Sequence, residues 1–288
     1  MISIITNQVR YALEMTMQTL TLPVPGGTLA VDRHGTTGTP VVCIHGLGDT
    51  RSTWRALVPL LVAAGHVVYV LDLRGHGESS TGFASYAAHD IGDDVAALLE
   101  AEDLRDAVLV GNSISGGAVC HAALEAPERV ARLVLVCPFV RDMPADRWLR
   151  PLVPILFGGP WGAWAWGMYR ATLFTTAPED HADNQAAVLA NLREPGRLAA
   201  TRAMIRASKA PIAARLDQVS VPSLVVMGAE DPDFSDPAAE AEALRGLLGG
   251  PVEVAMVQRT GHYPQIERPD ATAATILGFI GQGVEVGA

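Results

Sequence analysis

The stretch Val110-Gly111-Asn112-Ser113-Ile114-Ser115-Gly116-Gly117 decides how this chain is read. It follows the apolar run "AVLV" and leads into "AVCHAALEAPE", so it reads as a buried strand, a sharp bend and a helix. A nucleophilic serine at such a bend needs small residues two before and two after it, because the backbone is crowded there. Ser113 has Gly111 and Ser115 at those places, and Ser115 has Ser113 and Gly117, so both pass the size test. The strand ends at Gly111 and the bend residue should follow at once, whereas Ser115 would already sit in the first helical turn. Ser113 is therefore the candidate nucleophile. The competing reading is a serine-rich helix start with no chemistry.

Strand and helix signals alternate on both sides of this bend. "TLAVDRHG", "PVVCIHG", "VVYVLDL" and "VARLVLVCP" read as strands, the later ones as continuous apolar runs of the kind buried on both faces. "STWRALVPLLVAAG" and "SYAAHDIGDDVAALLEAED" carry helical apolar spacing, the second through Ala88, Ile91, Val95 and Leu98. The pattern lapses between Phe139 and Asp217 and resumes with the strand in "VPSLVVMGAED", the helix "DPAAEAEALRGLLGG", the strand "VEVAMV" and the helix "DATAATILGFIGQ". Repeated β-α order implies a mostly parallel central sheet with helices on both faces. We expect an α/β core over 19–138 and 218–288, a helical cap or lid over 139–217, and a loose tail over 1–18, with Met15 or Met17 as an alternative start.

Composition narrows the function. The chain has 288 residues, 49% of them hydrophobic, and a net charge of −10. A chain this acidic offers no basic stripe for phosphates, so no nucleic-acid partner is expected. Cys43, Cys120 and Cys137 lie in apolar segments without metal-type spacing, which implies reduced, buried thiols. The first residues lack a basic n-region and a cleavage site, so no secretory signal is expected and a cytoplasmic location follows. From Pro151 to Tyr169 no residue is charged, but three prolines and repeated glycines would break a bilayer helix, so we expect no integral membrane span. No P-loop, HExxH or Cys/His cluster is present, and neither cofactor nor metal is expected.

Five fragments in order, "CIHGLGDT", "DLRGHGESS", "GNSISGG", "VMGAEDPDF" and "TGHYPQIERP", resemble the motifs of α/β-hydrolase-fold proteins, over about Thr19 to Gln282. The resemblance implies a Ser-Asp-His triad in that chain order. It points to His262 as base and to Asp231, after the strand "SLVVMG", as the acid that fixes the imidazole tautomer. Asp233 and Asp236 are rival acids, Asp236 being better suited to cap a helix before Pro237, and Asp142 is a remote fourth. It assigns the oxyanion hole to the backbone amides of Leu47 and Ile114. Ser115 departs from the family pattern, where glycine is usual, and brings to mind members that act as ligand receptors with slow hydrolysis.

The insertion is the most aromatic part of the chain. Most of its rings should glue lid to core, but some should face the substrate, and Trp161, Trp164, Trp166 and Phe139 are the candidates. The expected activity is hydrolysis of a small to medium apolar carboxylic ester or lactone through an acyl-enzyme. Carbon–carbon bond hydrolysis and cofactor-free haloperoxidase or perhydrolase chemistry are alternatives on the same triad. A low-turnover small-molecule sensor is the alternative outside catalysis.

Overall fold

The structure, a computed structural model, describes residues 17–281. The expected tail over 1–18 lies outside the described residues except for Met17 and Gln18, and Gln18 already opens a strand. An eight-stranded sheet forms the centre, in the order β1-β2-β4-β3-β5-β6-β7-β8. The strands are β1 (Gln18–Val24), β2 (Gly27–His34), β3 (Pro40–Ile44), β4 (Val67–Leu71), β5 (Ala107–Asn112), β6 (Val130–Val136), β7 (Ser223–Gly228) and β8 (Val252–Val257). From β4 to β8 every pairing is parallel, while β2 runs antiparallel to both β1 and β4. The chain is thus a mostly parallel sheet carrying an antiparallel hairpin at one edge.

Side-chain alternation along each strand explains the helices on both faces. Val41, Cys43, Val108, Val110, Val134 and Val136 point to one side, where Trp54, Leu57, Leu61, Ile276 and Phe279 cover them. Those partners come from a 3-10 turn at Arg51–Trp54, from α1 (Val58–Ala63) and from α11 (Pro269–Gly281). Val42, Ile44, Leu109, Leu133 and Leu135 point to the other side, against Ile91, Val95, Val119 and Leu244. These lie on α2 (Ala88–Ala101), α3 (Ser115–Glu125) and α9 (Pro237–Leu247). Asp236 caps α9 by accepting the Ala239 amide at 2.9 Å, ahead of Pro237.

Between β6 and β7 the chain leaves the sheet for five helices: α4 (Asp146–Phe157), α5 (Gly162–Thr172), α6 (His181–Leu192), α7 (Arg197–Arg206) and α8 (Ala210–Ala213). The uncharged run 151–169 is split between α4 and α5. No helix among the described residues is long and apolar enough to cross a membrane. Parallel strands place all their carboxyl ends along one edge, and the loops after β3, β5, β6, β7 and β8 meet there. α10 (Pro264–Glu267) closes that edge before α11.

Candidate active site

β5 ends at Asn112 and Ser113 follows with φ +59°, a left-handed conformation that strains a non-glycine residue by about 1–3 kcal/mol. Neighbouring strand ends hold it there. The Ser113 amide donates to the Val136 carbonyl and the Ser113 carbonyl accepts the Phe139 amide, both at 2.9 Å. The crowding expected of the bend is measurable at Gly111, where a Cβ would come within 2.3 Å of the Ser115 carbonyl oxygen. Ser115 is wholly buried and donates its hydroxyl to the His45 carbonyl at 2.5 Å. The two serines therefore differ in kind: Ser115 ties the helix start to the loop after β3, and Ser113 stands on the strained turn.

His262 lies in the loop after β8. Its amide donates to the Leu173 carbonyl at 2.8 Å, and its carbonyl accepts the Asn112 side-chain amide at 3.3 Å. The second bond sets His262 beside the residue preceding Ser113. Its Nδ1 is 2.7 Å from Asp231 Oδ2 and 3.7 Å from Asp233 Oδ2. Among the described residues neither Ser113 Oγ nor His262 Nε2 has a protein hydrogen-bond partner, so the structure joins base and acid but does not close the serine–histidine bond. Such bonds commonly tighten only when substrate is bound. Asp236 caps its helix, and Asp142 is engaged by Arg150, Ser208 and the Lys209 amide, away from His262.

Burial opposes charge on the imidazole, but Asp231, then Asp233 and Glu267, outweigh it and push His262 up to about 9. Asp231 is also buried, which alone would raise it, yet His262 and the Asp233 amide hold its carboxyl below the usual range. Burial and the neighbouring Asp231 push Asp233 above that range, against the pull of His262 and Tyr169. Cys137 Sγ, Asp231 and His262 offer donor atoms within 4.8 Å of one another, the one metal-like grouping among the described residues. Each is already used: the thiol accepts the Gly228 amide at 3.3 Å and the other two bond each other.

The loop after β3 is rigidly held. The Gly48 amide donates to His76 Nε2 at 2.9 Å, and His76, driven down to about 3 by burial and then by His45, stays neutral to accept it. Among the described residues the amides of Leu47 and Ile114 donate to no protein acceptor, which leaves both free for a ligand oxygen. Gly46 is in contact with the elbow, since a Cβ there would lie 2.9 Å from Ser113 Cβ.

One face of α5 touches the loops of this site. Trp166 Nε1 donates to the Gly48 carbonyl at 3.1 Å, Tyr169 donates to Asp233, and Arg170 pairs with the buried Asp49 at 3.2 Å. With Leu173, the acceptor of the His262 amide, these residues recur at three- and four-residue intervals, one helical stripe. Trp166 and Phe139 thus belong to the site region, the Phe139 ring lying 5.9 Å from that of His262 and stacked on Phe234. Among the described residues, Trp161 and Trp164 have no hydrogen bond to the loops of the site. They are 51% and 61% exposed, at the start of the same helix. Asp49, Tyr169, Arg170 and Glu267 were given no site role in the sequence, although Asp49 lies inside "CIHGLGDT" and Glu267 inside "TGHYPQIERP".

A strained serine after a central strand, facing a loop that bears a histidine bonded to an aspartate, defines the class of the α/β hydrolases. The model of the alpha/beta hydrolase family matches residues 41–275, and the chain belongs to that family. It is 24% identical over 271 residues to the karrikin insensitive 2 receptor IA of Petunia hybrida, covering 85% of this chain and 91% of that one. A 102-residue segment is 38% identical to the dihydrolipoyllysine-residue acetyltransferase component of the acetoin cleaving system of Pseudomonas putida; it covers 35% of this chain and 27% of that protein's length. Among solved structures, Est816, described as an N-acyl homoserine lactone degrading enzyme, superimposes with a TM-score of 0.73 at 25% identity, over 90% of this chain and 100% of its own.

Proposed function

We propose that the chain is a serine hydrolase that cleaves a small to medium apolar carboxylic ester or lactone. Neutral His262 takes the Ser113 proton as Oγ attacks the carbonyl carbon, and the Leu47 and Ile114 amides receive the developing oxyanion. The imidazolium, oriented by Asp231, then protonates the leaving alkoxide. Water, deprotonated by His262, hydrolyses the acyl-enzyme and frees Ser113. The helices of 139–217 serve as the cap over this centre, with Phe139 and Trp166 as its aromatic lining. The observation that carries the reading is the left-handed Ser113 beside a His262–Asp231 pair.

A fluorophosphonate probe should label the native chain and fail to label Ser113→Ala, and p-nitrophenyl ester turnover should fall at least about 10³-fold in that variant. Butyrate and hexanoate esters should be turned over as well as acetate. Labelling that survives Ser113→Ala would overturn the assignment. A second reading, a small-molecule sensor with slow turnover, is favoured by the unclosed serine–histidine bond and by the full-length likeness to a plant receptor. Saturated turnover slower than about one per minute would select it.

A further inference from the structure

The loop after β7 places two carboxylates near one imidazole nitrogen, and only one of them is bonded to it. Asp233 Oδ2 lies 3.7 Å from His262 Nδ1, within a small side-chain shift of replacing Asp231. Asp233 is held back from the other side. The Tyr169 hydroxyl, from the insertion, sits 2.8 and 2.9 Å from its two oxygens and can donate to either. Tyr169 is set by its own helix, whose Trp166 and Arg170 are fastened to the loop after β3 on the same stripe.

We propose that Tyr169 is a positioning residue that restrains Asp233, so that Asp231 alone orients the base. This rests on reading His262 as the base. The charged and titratable groups around His262 are Asp231 and Asp233 on the loop after β7, Glu267 on α10, the Cys137 thiol after β6, Ser113 at the elbow and Tyr263 next in the chain. Arg170, behind Tyr263, and Tyr169 come from α5. Of these anions, Asp233 is held by a side-chain hydroxyl of the insertion, whereas Glu267 accepts the backbone amides of Thr175 and Thr176, which a side-chain substitution leaves in place. Without the hydroxyl, the Asp233 carboxylate seeks the nearest donor, which is His262 Nδ1. The imidazolium then has two full acceptors and holds its proton more tightly.

The signs of the two substitutions are opposite. Tyr169→Phe frees the carboxylate and raises the His262 titration midpoint; Asp233→Asn removes a charge at short range and lowers it by about one pH unit. In the Asp233→Asn background Tyr169→Phe changes nothing, because there is no charge left to restrain. The test is a histidine-ring NMR titration of the native protein, both single variants and the double variant, with the pH profile of ester kcat/KM beside it. The expected result is an upward shift of at least half a unit for Tyr169→Phe, and faster hydrolysis at pH 7 for Asp233→Asn. An unmoved midpoint in Tyr169→Phe, or an equal shift with and without Asp233, overturns the proposal; a lowered melting temperature alone does the same, since it marks a purely structural bond. The titration needs no turnover, so it is read independently of whether Ser113 labels with the fluorophosphonate.

Discussion

Ser113 and Ser115 are two positions apart and differ in setting: Ser113 stands on a left-handed turn, and the Ser115 hydroxyl is spent on the His45 carbonyl. The sharp bend at Ser113 was implied by the strand–bend–helix order, and Asp231 and His262 were pointed to by the resemblance to α/β-hydrolase motifs, in which the acid precedes the base. The use of Ser115 was not legible. Its acceptor is a backbone carbonyl 70 positions upstream, and backbone acceptors leave no mark in a sequence. A hydroxyl that satisfies a buried carbonyl is worth about 1 kcal/mol, so the departure from glycine has a structural reason. His262 carries the pH prediction. Catalysis needs the neutral ring, so kcat/KM should rise with pH and level off above about 9. Stability runs the other way: the folded chain binds this proton more tightly than an ordinary histidine near 6.5, so the contribution is full below 6.5 and lost as pH rises through 9. Initial-rate profiles and melting curves at matched pH values check both slopes.

At the scale of elements, the continuous apolar strands β3 to β7 were plain because a strand buried on both faces has no polar positions. β1 was missed. Half of it is solvent-facing at the sheet edge, and its pairing with β2 depends on the Pro25-Gly26 turn rather than on an apolar run. The helix expected over "STWRALVPLLVAAG" breaks into a 3-10 turn and the short α1, with Pro59 in the first turn of the latter. α5 shows the limit of composition as a guide. Its aromatics suggested a pocket wall, yet the useful signal was the spacing of Trp166, Tyr169, Arg170 and Leu173, whose partners lie on three separate loops, those after β3, β7 and β8. Arg170 and Asp49 are both fully buried and Arg170 also meets Asn184 and Gln185, so removing one partner strands the other charge. Arg170→Met should lose about 3–5 kcal/mol in urea unfolding, and the double variant Arg170→Met with Asp49→Leu should regain much of it.

Across the whole molecule, charge and polarity are unevenly spread. Ten of the 21 basic side chains fall within 139–217, whereas the chain as a whole is acidic. The outer side of α4 and α5 presents Trp148, Ile155, Trp161, Trp164 and Met168, each more than half exposed, while the inner side of α5 meets the loops after β3, β7 and β8. The bonds between α5 and those loops bear on protein engineering. If the excursion from the sheet were an interchangeable cassette, all of 139–217 could be exchanged for a donor's helices. Here the boundaries of a safe transplant are narrower: donor sequence can replace α4 up to Gly159, but a chimera that also substitutes 162–176 discards the braces of the histidine turn and of the glycine loop. We expect α4 chimeras to keep full fluorophosphonate labelling and α5 chimeras to lose it while still folding, as read by circular dichroism.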